Sequence, residues 1–145
     1  MKKLMTLLAT VLLLLPILVQ AENSTKIPGF TIHHNVITTD FLAPNIASAY
    51  RIIRSKNRGM INISVIQDVE GTTGKAVTAG ISARVINLLG QSRHIPLREI
   101  REGEAIYYIG DFIVPGNEQL IFVLEVMPQG AKKPYTAKLE HQFSS

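Results

Sequence analysis

The chain has 145 residues and no cysteine, with 15 Lys and Arg against 11 Asp and Glu. That length suits one domain and can bury a core without covalent staples. The missing cysteine excludes disulfides, thiol catalysis, thiolate metal sites and a lipid-bearing N-terminal Cys.

The N-terminal stretch MKKLMTLLATVLLLLPILVQAENS places Lys2 and Lys3 before an apolar run from Leu4 to Val19 and closes on Val19-Gln20-Ala21. This is the pattern of a secretory signal peptide cut after Ala21. An uncleaved anchor fits less well, because a span wants roughly 20 apolar residues and Pro16 breaks the shorter run found here. Residues 1–21 are therefore read as a cleaved signal and residues 22–145 as a single exported domain, with the periplasm as its compartment and no stable membrane span after cleavage. Without Lys2 and Lys3 the domain carries 13 basic against 11 acidic residues, a net of +2. So mild a bias tolerates anionic surfaces without demanding them. Nucleic acid is not an expected partner in that compartment.

From Glu22 onward the pattern is alternation with a period of two, the mark of half-buried strands in antiparallel sheets. After a polar tail at 22–26, GFTIHHNVI puts Phe30, Ile32, His34 and Val36 on one face. DFLAPNIASAYRI departs from the pattern: Pro44 suits a first helical turn, and Ile46, Ala47 and Tyr50 share a helical face, so a short helix is expected near 43–50. MINISVIQ returns to strand, with Ile61, Ile63 and Val65 together. DVEGTTGK, carrying Gly71 and Gly74, reads as a hairpin loop. VTAGISARVINLL stacks Val77, Ala79, Ile81, Ala83 and Val85 before a break around Gly90.

The next stretch, HIPLREIREGEAIYYIG, sets Arg98 and Arg101 among Glu99, Glu102 and Glu104 beside two tyrosines. As a helix it would hold Gly103 in its interior, at about 1 kcal/mol relative to Ala, with a poor apolar stripe. As strand, turn and strand it works. The turn falls at Glu102-Gly103-Glu104, and the second strand is apolar on both sides, as in a central strand. A phase slip between Leu97 and Ile100 suggests a bulge. The carboxylates then form a solvated face and turn, which is unlike the environment of a general acid. EQLIFVLEVMP and PYTAKLEHQF complete the series after breaks at 115–118 and 128–134.

About seven to eight short strands with one short helix indicate an all-β fold, an antiparallel β-sandwich of immunoglobulin-like architecture. An up-and-down barrel is the structural alternative.

Chemical motifs are sparse. Gly-Thr-Thr-Gly-Lys at 71–75 has too few residues between its glycines for a phosphate loop, and no helix pattern follows. His33 and His34 are adjacent in a strand and face opposite ways. His94 stands apart, and His141 falls on an apolar face. Met60 and Met127 are soft-metal ligand types without a histidine pair beside them. No Gly-x-Ser-x-Gly elbow occurs. No catalytic, cofactor-binding or metal-binding residue is assigned, and no cofactor is expected. The one local charge asymmetry is YRIIRSKNRG, where Arg51, Arg54, Lys56 and Arg58 lie together with no acid among them. It reads as a patch for an anionic envelope surface or an acidic periplasmic protein, beside the plainer reading of a solvated loop rim.

RSKNRGMINISV (54–65), NLLGQ (87–91), LREIREGEAIYYI (97–109) and TTDFLAPNIASAY (38–50) resemble an exported bacterial family known as domain of unknown function 4426. The resemblance runs over essentially the whole mature chain. It implies a small periplasmic β-sandwich of proteobacterial type and brings no catalytic residues with it. Two functions follow as expectations. The first is a non-enzymatic binding or interaction module. The second is a small hydrolase or metal-handling protein with a site scattered over the strand ends.

Overall fold

The computed structural model describes residues 23–144; the signal-peptide reading falls on residues outside these. With strands numbered in chain order, one sheet runs β1 (Ser24–Ile27), β2 (Phe30–Thr38), β3 (Arg58–Gln67), β8 (Ala105–Ile113) and β7 (Arg98–Glu102), and β4 (Lys75–Ala76) pairs with the end of β3. The other runs β10 (Tyr135–Phe143), β9 (Glu118–Pro128), β5 (Ala79–Ile86) and β6 (Ser92–Ile95). Every pairing is antiparallel.

The expected alternation builds the core. Ile32, Ile61, Ile63 and Val65 from the first sheet meet Val85, Leu120, Phe122, Leu124 and Val126 from the second, all essentially without solvent contact. Each such side chain contributes roughly 1.5–3 kcal/mol by leaving water. Phe112 packs tilted on Phe122, with ring centroids 5.2 Å apart, and edge-on to Phe143 at 6.0 Å.

Ten strands are found among the described residues, more than the alternation suggested: β4 is a two-residue strand at the foot of the Gly71–Gly74 loop, and two longer stretches account for the rest. Most of the polar stretch is not a tail: Ser24–Ile27 hydrogen-bonds along β2 as an edge strand. The stretch HIPLREIR is also not one bulged strand. It pairs with β5 up to Ile95, crosses over at Pro96 and Leu97, and pairs with β8 from Arg98. Pro96 cannot donate to a ladder, so it suits the crossing point. Gly110 makes room for the crossing, since a Cβ there would lie 2.6 Å from both Ile95 Cγ2 and the Pro96 carbonyl oxygen.

A second, smaller core explains why β8 is apolar on both sides. Ile52, Met60 and Ile109 are buried on the outer face of the first sheet, with Leu42, Tyr50, Ile100 and Tyr107 packed against them. The cover is the segment joining β2 to β3: a 3-10 turn (Thr39–Phe41), then the helix α1 (Pro44–Ala49), which begins at Pro44 as expected. Thr39 anchors it, donating from Oγ1 to the Ile53 carbonyl at 2.7 Å and accepting from the Ser55 N–H at 2.9 Å.

Candidate functional site

One end of the sandwich gathers the strand ends Thr38, Gly59 and Phe112, which are register neighbours in the first sheet. Glu118 and Phe143, paired in the second sheet, lie at the same end, since Gly59 abuts both Phe112 and Phe143. Large apolar side chains stand in solvent there. Phe41 is 81 % exposed, Leu88 71 % and Leu89 85 %, and Ile53 and Ile113 are also open. Gln142 borders both the hollow beside Phe41 and the hollow beside Leu88 and Leu89, which makes the two adjacent. Val69 and Met127 are exposed at the opposite end. Scattered exposed apolar residues are normal, whereas a contiguous group marks a contact surface.

The leucines are held out by a built turn. Asn87 Oδ1 accepts from the Leu89 N–H at 3.0 Å and the Gln91 N–H at 2.9 Å, while its Nδ2 donates to Gln91 Oε1 at 2.7 Å. Gly90 supplies the positive φ of 82° that closes the turn. The tip of the β5–β6 hairpin therefore presents Leu88 and Leu89 on an ordered frame.

The four cations expected to form a patch divide into two pairs. Arg54 is exposed but tethered, donating from Nε to the Leu42 carbonyl at 2.7 Å and from Nη2 to that of Asp40 at 3.0 Å. Arg58 is ion-paired to Asp111 at 2.5 Å. Arg51 and Lys56 are exposed and have no ion-pair partner among the described residues. Arg51 follows α1 with φ of 56°, the left-handed geometry that glycine normally supplies after a helix. A side chain kept where the backbone disfavours one often serves function.

A second feature is a cleft of about 440 Å³ at the edge where β1 and β2 face β10, lined among others by Asn23, Thr25, His34, Lys138 and His141. His34 is 3 % exposed and its Nε2 lies 3.0 Å from Thr25 Oγ1. Its Nδ1 is buried without a hydrogen-bond partner among the described residues. Burial lowers the pKa of both His34 and His141, so both rings favour the neutral form. His33 points to solvent, opposite to His34, and His94 lies exposed on β6. Met60 sits in the outer core and Met127 on β9, so neither joins the cleft. No group of three or more metal-ligating side chains converges among the described residues.

The acidic stretch at 98–104 is exposed, as the strand-and-turn reading expects. A hydrogen bond from Arg101 holds the Glu99 carboxyl below its ordinary value, which favours the ionised form over a proton donor. Tyr50 donates to Glu102, and that bond raises the Tyr50 pKa.

Sequence reasoning found the cations and missed the apolar end. The available signal was Leu88-Leu89 inside an Asn–Gly–Gln turn, where large apolar residues have no core to reach.

These features define a small two-sheet antiparallel β-sandwich with an apolar end and an edge cleft. The family model "Domain of unknown function (DUF4426)" matches residues 24–144, and the chain belongs to that family. The fold is similar to the crystal structure of a DUF4426 family protein from Pseudomonas aeruginosa PAO1, with a TM-score of 0.72, 28% identity, and coverage of 87% of this chain and 97% of that one. It is also similar to FetP of uropathogenic E. coli strain F11, recombinantly expressed in the periplasm, with a TM-score of 0.61, 11% identity and coverage of 86% and 94%. A copper-bound variant of FetP matches with the same TM-score and identity over 85% and 95%. At that identity only the fold is shared. No curated protein matches the chain in sequence. No helix among the described residues is long and apolar enough to cross a membrane.

Proposed function

We propose that the protein is a non-enzymatic binding module of the periplasm that docks its apolar end on an anionic lipid surface. The observation that carries this reading is the ordered display of Leu88 and Leu89 at the end that also holds Phe41 and Ile53, with the exposed Lys56 just ahead of the start of β3 at Arg58. Apolar side chains enter the headgroup boundary, and cations meet lipid phosphates in the same contact. Liposome co-sedimentation tests it, using vesicles of phosphatidylcholine alone, with phosphatidylglycerol, or with lipopolysaccharide. Binding to the anionic vesicles is expected, falling as salt rises. Leu88→Ser/Leu89→Ser and Arg51→Glu/Lys56→Glu should each reduce it while the fold persists. No binding by wild type, or equal binding by all three proteins, overturns the reading. The export it requires is checked by N-terminal sequencing of the periplasmic fraction, where Glu22 is the expected first residue.

A second reading, metal handling, is favoured by two neutral imidazoles lining one cleft, since the neutral ring is the metal-binding form. The copper-bound FetP variant shares this fold. Copper and zinc titration of wild type beside His34→Ala and His141→Ala tests it, and stoichiometric binding lost in both variants would favour it.

A further inference from the structure

Among the described residues the edge strand β10 pairs only with β9, so the backbone of Tyr135–Phe143 has no ladder partner along its other side. Open edges are templates for pairing, and proteins commonly block them with a charge that meets its like in a second copy. Here the edge carries one charge of each sign, so a second copy can meet it with the opposite one. The outward-facing side chains of β10 are Thr136, Lys138, Glu140 and Gln142, all exposed. The cation and the carboxylate stand on either side of Leu139, the middle residue of the strand.

That arrangement is self-complementary. When two copies of β10 pair antiparallel about a two-fold axis, buried faces must match, so residues on the same face stand opposite one another. The register centred on Leu139 pairs the whole strand. It sets Lys138 against Glu140 of the second copy and, by symmetry, Glu140 against its Lys138. Thr136 then meets Gln142, and Tyr135 meets Phe143. Shifting to the neighbouring allowed registers sets Lys138 against itself or Glu140 against itself, and each leaves strand ends unpaired. Charge and length therefore select the same alignment.

We infer that β10 is the interface of a two-fold homodimer in which the β10-β9-β5-β6 sheets of two copies join into one continuous sheet. The contact is isologous, so it closes on two copies and leaves no free β10 edge. It also completes the edge cleft. Lys138, Leu139, Glu140 and His141 line that cleft, and Ala137 and Leu139 of the second copy would extend its wall past His141. This inference is independent of the lipid-binding reading, which rests on other residues at the strand ends.

The test is a charge swap on the mature chain, read by sedimentation equilibrium. Wild type is expected to dimerise. Lys138→Glu and Glu140→Lys each turn both cross-strand attractions into repulsions and should weaken the dimer by about tenfold or more. The double variant Lys138→Glu/Glu140→Lys restores opposite charges and should return the dissociation constant to within about threefold of wild type. Mixing the two single variants should give a heterodimer tighter than either homodimer. Circular dichroism of each variant confirms that the fold is retained. A monomeric wild type at millimolar concentration, or a dimer indifferent to the single reversals, overturns the inference.

Discussion

Arg58 and Asp111 meet on the outer face of the first sheet, with the guanidinium Nη2 2.5 Å from the carboxylate Oδ2 and each side chain less than a third exposed (29% and 28%). They are far apart in the chain, and the pairing of β3 with β8 brings them together. A charged hydrogen bond of this partly covered kind is worth more than a surface pair, and removing one partner strands the other. Arg58→Ala is expected to destabilise by about 1–2 kcal/mol. Lys56→Ala, on an open side chain, should stay within about 0.5 kcal/mol. Urea denaturation of the two variants distinguishes a fastened cation from a free one.

Arg51 gives the opposite sign. Its φ of 56° is strained for any residue with a Cβ. Arg51→Gly should therefore raise stability by about 0.5–1 kcal/mol while weakening attachment to anionic vesicles. A variant less stable than wild type would show that the Arg51 side chain supports the fold.

The charged hairpin at the end of β7 separates surface from core directly. Glu104 is exposed at its turn, whereas Ile106 is 8% exposed and belongs to the main core. Glu104→Gln should change stability by less than about 0.5 kcal/mol, and Ile106→Ala should cost about 2–4 kcal/mol. If the Gln variant proved the more damaging, the carboxylate would belong to a buried network after all.

Acid should loosen the protein through its edge cleft. His34 and His141 have pKa values below the ordinary 6.5 because burial penalises the charged ring. As pH falls through about 6.5, the unfolded chain takes up protons that the folded rings resist, so stability drops; above that pH it is fully present. Thermal midpoints between pH 7.5 and 5 are expected to fall for wild type and to fall less for His34→Gln and His141→Gln. Parallel profiles for all three proteins would place the acid sensitivity elsewhere.

Much of this molecule is local and was legible as such. The alternation of Leu120, Phe122, Leu124 and Val126, the glycines that punctuate the hairpins, and Pro44 at the head of the helix are short-range patterns. They specify strand, turn and helix start through the backbone preferences of neighbouring residues. The family resemblance also rested on contiguous stretches, and the match over residues 24–144 bears it out.

Pairing between distant segments is not written in any one window. HIPLREIR has the same local pattern whether it stays in one sheet or crosses at Pro96 between two. The choice depends on the room that Gly110 leaves for the crossing. Arg51, Arg54, Lys56 and Arg58 are equivalent as a run of charges, yet tertiary contacts fasten Arg54 to two backbone carbonyls and Arg58 to Asp111, and leave Arg51 and Lys56 open. His34 and His141 come to share a cleft only because β2 and β10 end up facing each other at one sandwich edge. Composition and periodicity determine which faces must leave water. Which faces then meet, and which side chains remain without a partner, is decided by the long-range register of the two sheets.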